Sequence, residues 1–182
     1  MKLAVLITAL VYFAVMTWAV HFHFASARSP LPFVLLSIVS VANLAVFGHF
    51  VWRQPQGIEW LGASLALQVA ALLLFMGARH ASRTADLKLL FDPSEPHGLV
   101  QSGPYRYIRH PFYASYLLYW SGCALATLHP FNIAYAAMLV PLLALGALTE
   151  ERKFARSPLR NAYADYRRRA GLFWPRLLKA RT

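Results

Sequence analysis

Residues 112–148 read FYASYLLYWSGCALATLHPFNIAYAAMLVPLLALGAL. Two apolar runs, 112–128 and 131–148, are joined only by His129-Pro130. A helix needs about 20 mostly apolar residues to cross a bilayer core, and each run comes close to that. Two helices on so short a joint must turn back on each other as an antiparallel hairpin. Pro141, inside the second run, removes a backbone donor and is expected to kink it. The hairpin also sets what lies at its open end. Whatever precedes Phe112 and whatever follows Leu148 meet at the same membrane face.

Three further runs of span length lie upstream, at 3–24, 31–52 and 58–78. Of the 182 residues, 58% are hydrophobic and 14% charged, and the mean hydropathy is +0.44. Soluble domains hold about 45–50% apolar and about 25% charged residues. The expected fold is an all-α integral membrane protein with five transmembrane helices and a C-terminal amphipathic helix at the interface. The first run has no convincing small-residue cleavage site, and more spans follow, so it reads as a retained helix rather than a signal peptide. Cys123 is the single cysteine. It cannot form an internal disulfide, and inside an apolar run it serves as a small core residue.

The formal net charge is +11. With the N-terminus outside, sixteen of the eighteen Lys and Arg fall on the inner side. These are Arg28, Arg79, Arg83, Lys88, Arg106, Arg109 and the ten from Arg152 to Arg181; Lys2 and Arg53 are outside. This positive-inside distribution predicts an N-out, C-in, multi-pass protein of a cytoplasmic or equivalent membrane, its chemistry facing the cytoplasm. The same residues suit contact with anionic membrane lipid. A nucleic-acid partner is excluded, because no soluble fold remains to present the basic surface.

Residues 1–78 are expected to form a three-helix transmembrane scaffold, and 79–182 the chemically active core. The polar residues of the first part are sparse: His21, His23, Asn43, His49, Glu59 and Gln68. Glu59 sits at a helix start, where a carboxylate is favoured. His21 and His23 are two apart and point to different sides of a helix. No Cys-x-x-Cys or His-Glu-x-x-His occurs, so no metal is expected.

The inner connector, residues 79–111, reads RHASRTADLKLLFDPSEPHGLVQSGPYRYIRHP. Long connectors are usually functional or disordered. Leu87, Leu89, Leu90, Phe91, Leu99, Val100, Tyr105, Tyr107 and Ile108 need burial, which predicts a packed segment. Its last part, GPYRYIRHPFY (103–113), concentrates the polar chemistry. Gly103 permits an unusual backbone turn and Pro104 sets the next φ. Pro111 suits the first turn of the fourth span, where its missing N–H is no loss. His110 stands at that helix mouth, whose positive dipole end favours an anion. Arg106 and Arg109 add charge, and Tyr105 and Tyr113 add aromatic faces. On residue types alone, an interfacial belt of Tyr and Arg explains this stretch equally well.

The fifth span ends ALTEERKF, with Glu150 and Glu151 at a helix end where carboxylates are disfavoured. The hairpin returns this pair to the side of His110. A basic, aromatic helix start then faces an acidic helix end across a gap. A zwitterion with an aromatic body fits it: carboxylate toward Arg and His, ammonium toward Glu, ring among the tyrosines. Farther on, Leu159, Ala162, Tyr163, Tyr166 and Ala170 share one helical face, opposite Arg160, Asp165, Arg167 and Arg168. This predicts an amphipathic surface helix with Ser157 as N-cap and Pro158 at its first position. Phe173 and Trp174 are expected to re-enter the interface.

The stretch PHGLVQSGPYRYIRHPFY, an apolar hairpin, the acidic pair, and two tyrosines before a proline together resemble the isoprenylcysteine carboxyl methyltransferase family. The phospholipid N-methyltransferases share the general arrangement. The resemblance covers about residues 79 to 175 and implies S-adenosylmethionine bound in a cytoplasmic-side pocket. By position in the motif, His97, Gly98, Leu99, Val100, Gly103 and Tyr105 would line the cofactor, followed by His110, Pro111, Phe112 and Tyr113. Glu151, or Glu150 by a one-residue slip, would hold its amino group. Ala114 stands where the family often has Gly, and Pro158-Leu159 replaces its Phe-Gly. Gly146 and Ala147 stand where isoprenylcysteine enzymes carry an arginine for the acceptor carboxylate.

The implied reaction is direct methyl transfer, in which the protein mainly positions the reactants and excludes water. A carboxylate or thiolate acceptor needs no base; a phenol or amine would draw on His110 or a tyrosine. Arg79, Arg83, Arg106 or Arg109 would orient an anionic acceptor, lipidic or amphipathic, arriving from the bilayer. The alternatives are a phospholipid or amine N-methyltransferase, an NADPH-dependent membrane reductase, and a non-enzymatic scaffold. The scaffold accounts for spans and charges but not for the acidic pair opposite His110.

Overall fold

A computed structural model describes residues 1–22, 31–83 and 98–176. Among them the chain forms six α-helices: α1 (Lys2–Phe22), α2 (Leu31–Arg53), α3 (Ile58–Ser82), α4 (Pro111–Thr127), α5 (Pro130–Arg156) and α6 (Arg160–Arg169). A 3₁₀ turn, Gly103–Arg106, precedes α4. The described residues hold no β-strand, only an isolated parallel bridge between Ile108 and Gly171.

Four helices, α1, α2, α3 and α5, are long and apolar enough to cross a membrane. The expected fourth span is α4, which has only 17 residues and is not among these four. It is the central helix, packed against α1, α2, α3 and α5. Tyr12 of α1 stacks on Tyr119 at 4.2 Å and pairs with the Ser115 hydroxyl at 3.0 Å. Trp120 meets Tyr135 of α5 edge-on at 4.8 Å. At Gly122 a Cβ would lie 3.1 Å from the Ser64 carbonyl oxygen. A small residue here lets the α3 and α4 backbones approach, as membrane helix interfaces favour.

The hairpin turn is Leu128-His129 rather than His129-Pro130. Leu128 adopts a left-handed φ of 48° and donates its N–H to Ala124 at 2.8 Å, closing α4. The His129 Nδ1 accepts from the Phe131 N–H at 3.3 Å. Pro130 then belongs to the first turn of α5, where a missing donor costs nothing. α5 runs unbroken through Pro141 to Arg156, well past residue 148. Its 27 residues span about 40 Å at 1.5 Å per residue, against a hydrocarbon core of about 30 Å. One end therefore stands clear of the core, and that end carries Glu150 and Glu151.

α3 likewise continues past residue 78 to Ser82, which makes Arg79 and His80 helical. One hydrophobic core joins α1, α3, α4 and α5 across that position. Ser157, expected to cap the last helix, closes α5 instead. Its Oγ accepts from the Leu159 N–H at 3.2 Å, and its carbonyl accepts from Arg160 at 3.1 Å. α6 buries Tyr163 and Tyr166, which with Ala170 pack against Leu99 and Phe154. Ala162, expected on the apolar face, is exposed. Leu87, Leu89, Leu90, Phe91 and His97 lie outside the described residues.

Candidate active site

The site is built from three chain segments at one end of the bundle. Gly103 opens the 3₁₀ turn with φ +54°, and a Cβ there would come within 2.9 Å of the Ala81 Cβ. Only glycine both adopts this backbone and lets the turn rest on α3. The turn buries Tyr105, whose carbonyl accepts from the Tyr166 hydroxyl at 2.7 Å. Burial above all raises the Tyr105 pKa, with the Ser82 hydroxyl offsetting part of the rise, so the phenol stays neutral.

Residues 107–110 then run beside the tail. Gly171 donates to Tyr107 at 2.9 Å, Arg109 to Gly171 at 2.8 Å, and His110 to Leu172 at 3.1 Å, all through backbone groups. This zipper fixes the entry to α4, where Pro111 takes the first helical position.

The two carboxylates at the end of α5 differ sharply. Glu151 is 6% exposed and accepts from Arg109 Nε at 2.8 Å, with Arg109 also 6% exposed. Its other oxygen lies 3.5 Å from Arg167 Nε. Arg109 Nη1 donates to the Ala170 carbonyl and to that of Arg167 at 3.4 Å. The expected gap between basic helix start and acidic helix end is thus bridged directly at this point. A planar guanidinium and a carboxylate, both buried, satisfy each other better than either would alone. Glu150 is 34% exposed and lies 3.4 Å from His110 Nδ1. It accepts a hydrogen bond from the Tyr113 hydroxyl.

His110 lies between the two acids. Its Nε2 is buried without a hydrogen bond and sits 3.6 Å from Glu151. The imidazole stacks on Tyr113 at 5.3 Å. Phe173 meets both rings from the side, at 6.3 Å and 6.4 Å. Burial is the strongest single influence and disfavours the imidazolium, but the nearby carboxylates of Glu150 and Glu151 together outweigh it. The His110 pKa is therefore raised above its ordinary 6.5.

A raised folded-state pKa stabilises the protein fully below about pH 6.5, and that contribution is lost as pH rises through the folded value. Thermal unfolding in detergent across this window is expected to show an alkaline loss of stability that His110→Gln lacks. Parallel profiles for the two proteins would show that the acids do not hold the proton.

The other expected site residues fall in different places. Leu99 packs with Tyr163 and Tyr166, Val100 lies against the main core, and Gly98 is exposed. Phe112 is buried and meets Phe75 of α3 at 5.0 Å. Arg79 is half-buried near the end of α3, its guanidinium 4.3 Å over the Trp18 ring. Arg83 is exposed at the α3 C-cap. Phe173, expected at the membrane interface, and Arg167, expected on the polar face of the last helix, join the site instead. An aromatic in a short tail signals burial somewhere, but not a partner some sixty positions upstream. Trp174 beside it is exposed. A cavity of about 400 Å³ is lined by Glu151, Tyr163, Arg160, Arg167, Arg168 and Arg176.

Residues 61–155 match the sequence model of the isoprenylcysteine carboxyl methyltransferase (ICMT) family. The matched region contains Arg109, His110, Tyr113, Glu150 and Glu151 and stops before α6. No curated protein matches the chain.

Proposed function

Because the chain belongs to the isoprenylcysteine carboxyl methyltransferase family, we propose that it is an S-adenosylmethionine-dependent membrane methyltransferase acting on a lipidic or amphipathic acceptor. In this reading α4, sheathed by the four apolar helices, is the fifth span of an N-out, C-in bundle, and the site faces the cytoplasm. The carrying observation is the convergence of Glu150, His110, Tyr113 and Phe173 where α4 begins and α5 ends.

The residues fit such a cofactor. A zwitterion that also bears a sulfonium needs a carboxylate with an open side and aromatic faces nearby. Glu150 is that carboxylate, since Glu151 is enclosed by Arg109 and Arg167. Glu150 would hold the ammonium, with Tyr105, Tyr113 and Phe173 supplying rings. Gly98, Leu99, Val100 and Gly103 would form the connector side, and Pro111 and Phe112 the α4 side. When bound, the cofactor supplies a methyl group on a good leaving group.

The protein's part is then orientation and exclusion of water. His110 is buried between two carboxylates that raise its pKa, and the buried Tyr105 phenol stays neutral, so this reading assigns neither as a general base. That favours an acceptor that is already nucleophilic, a carboxylate or a thiolate. Arg109 is committed to Glu151 and to the tail, so it acts as a positioning residue. Arg79 and Arg83 are left to orient the acceptor.

Isothermal titration of the detergent-solubilised protein with S-adenosylmethionine and with NADPH tests the assignment. Saturable binding of S-adenosylmethionine alone is expected. Binding of NADPH in its place would favour a reductase, and binding of neither would overturn both enzymatic readings.

A further inference from the structure

The cavity between α5, α6 and the tail carries charge that the site at His110 does not use. Its lining holds four arginines, Arg160, Arg167, Arg168 and Arg176, against one carboxylate, Glu151. That carboxylate is already met by Arg109 at 2.8 Å and by Arg167 at 3.5 Å. Arg168 pairs with Asp165, while Arg160 and Arg176 have no carboxylate within ion-pair distance among the described residues. The lining therefore keeps an excess of positive charge. A concave surface walled by one sign of charge focuses its field and draws in ligands of the other sign.

Helix electrostatics account for only half of this cluster. Arg167 and Arg168 stand in the last turn of α6, where the dipole favours cations. Arg160 is the first residue of α6, where the dipole disfavours a cation, and that turn holds no acidic residue to offset it. Arg176 comes from the tail, and its Nη1 donates to the Arg168 carbonyl at 2.9 Å. A topology signal would be served by arginines anywhere on the inner side. Neither cause asks both ends of α6 and the tail to meet at one cavity. The other walls suit an organic body. Tyr163 is buried and stacks on Phe154 at 4.5 Å, which fixes its ring. Ala155 and Ala164 add small apolar surface beside it. The volume of about 400 Å³ falls within the range of about 300–1,000 Å³ usual for small-molecule sites. Guanidinium groups meet phosphate oxygens with paired, parallel N–H bonds, and several of them together favour a dianion over a monoanion. The family match ends at residue 155, so α6 and the tail lie beyond it.

We infer that this cavity binds a phosphomonoester dianion, with the phosphate held by Arg160, Arg168 and Arg176 and the organic part against Tyr163. The site is separate from the one at His110, and its ligand is neither methyl donor nor acceptor. The phosphate belongs either to a soluble molecule or to a lipid headgroup at the membrane surface; the chemistry read by the arginines is the same. Nothing in this assignment depends on methyl transfer.

The test is titration calorimetry of the whole chain in neutral detergent, with about 0.15 M salt to screen diffuse attraction. At about pH 7.5 phenyl phosphate is a dianion. It is expected to bind saturably, and roughly tenfold or more tightly than phenyl sulfate, which has the same ring and one charge fewer. Dihexanoyl phosphatidic acid is the second arm. Tighter binding than phenyl phosphate assigns the site to a lipid headgroup, and equal or weaker binding assigns it to a soluble phosphate; either result supports the site. Arg160→Gln and Arg176→Gln should each weaken phenyl phosphate roughly tenfold, as loss of a charge-assisted bond does. Arg156→Gln removes the same charge from an exposed position outside the cavity and should bind as the wild type does. Arg160 and Arg176 are both exposed, so neither change should unfold the chain. If one does, phenylglyoxal labelling of the wild type decides: phenyl phosphate should protect Arg160 and Arg176 but not Arg156. Absence of saturable binding, equal affinity for phenyl sulfate, equal weakening by Arg156→Gln, or equal labelling with and without ligand would overturn the inference. So would displacement of phenyl phosphate by saturating S-adenosylmethionine, which would put both in one site. Phosphate binding without any S-adenosylmethionine binding would leave this site standing and remove only the methyltransferase reading.

Discussion

Glu151→Ala is expected to lower the unfolding free energy by roughly 3–5 kcal/mol, the usual loss when one member of a buried ion pair is removed. Glu151 and Arg109 are both 6% exposed and 2.8 Å apart, so solvent cannot stand in for the missing carboxylate. The consequence reaches the tail. Arg109 also donates to the Ala170 and Arg167 carbonyls, and an unpaired guanidinium would be drawn from those bonds toward water. Chemical unfolding in detergent measures the stability, and limited proteolysis near residues 170–176 measures the release of the tail. The double change Arg109→Leu with Glu151→Leu should cost less than Glu151→Ala, because no buried charge is left alone. Strictly additive losses would show that the pair is not coupled.

Glu150→Gln should do the opposite: weaken S-adenosylmethionine between roughly ten- and a hundredfold, with little change in stability. Its carboxylate is 34% exposed, so water can satisfy the folded protein once the charge is gone. The ammonium of a ligand would have no substitute for it. Titration calorimetry on the variant gives the affinity, and thermal unfolding of the same sample gives the stability. Wild-type affinity in Glu150→Gln, paired with lost affinity in a folded Glu151→Gln, would exchange the two roles.

These contrasting expectations for adjacent glutamates mark the boundary of what the sequence conveys. The acidic pair, its place at the end of α5 and its nearness to His110 were all legible. Apolar run length and a two-residue joint, read at His129-Pro130 and lying one residue earlier at Leu128-His129, suffice to bring the start of α4 and the end of α5 together. Which glutamate closes on Arg109 was not legible. It depends on the rotation of α5 about its axis, and neighbouring helical positions differ by about 100°. Packing sets that rotation, through contacts such as Trp120 on Tyr135.

The helix ends tell the same story. Expected runs stop where hydropathy stops, but α3 and α5 continue into polar sequence because backbone hydrogen bonding and neighbouring helices extend them. α4 shows the converse. Its short, tyrosine-rich sequence is tolerated because it faces protein on its sides rather than lipid.

By itself the sequence determined an all-helical, membrane-suited chain, the hairpin, and the meeting of Arg109, His110, Tyr113 and the acidic pair at one end. These follow from local periodicity and loop length, which act over a few residues. Tertiary structure alone decided that Glu151 is buried against Arg109 while Glu150 stays more open, that residues 171–172 zip against 107–110 and Phe173 meets His110 edge-on, and that Arg79 lies over the Trp18 ring. Each of these joins side chains from different helices or distant segments. Their distances are set by how the elements pack, and no periodicity along the chain records that.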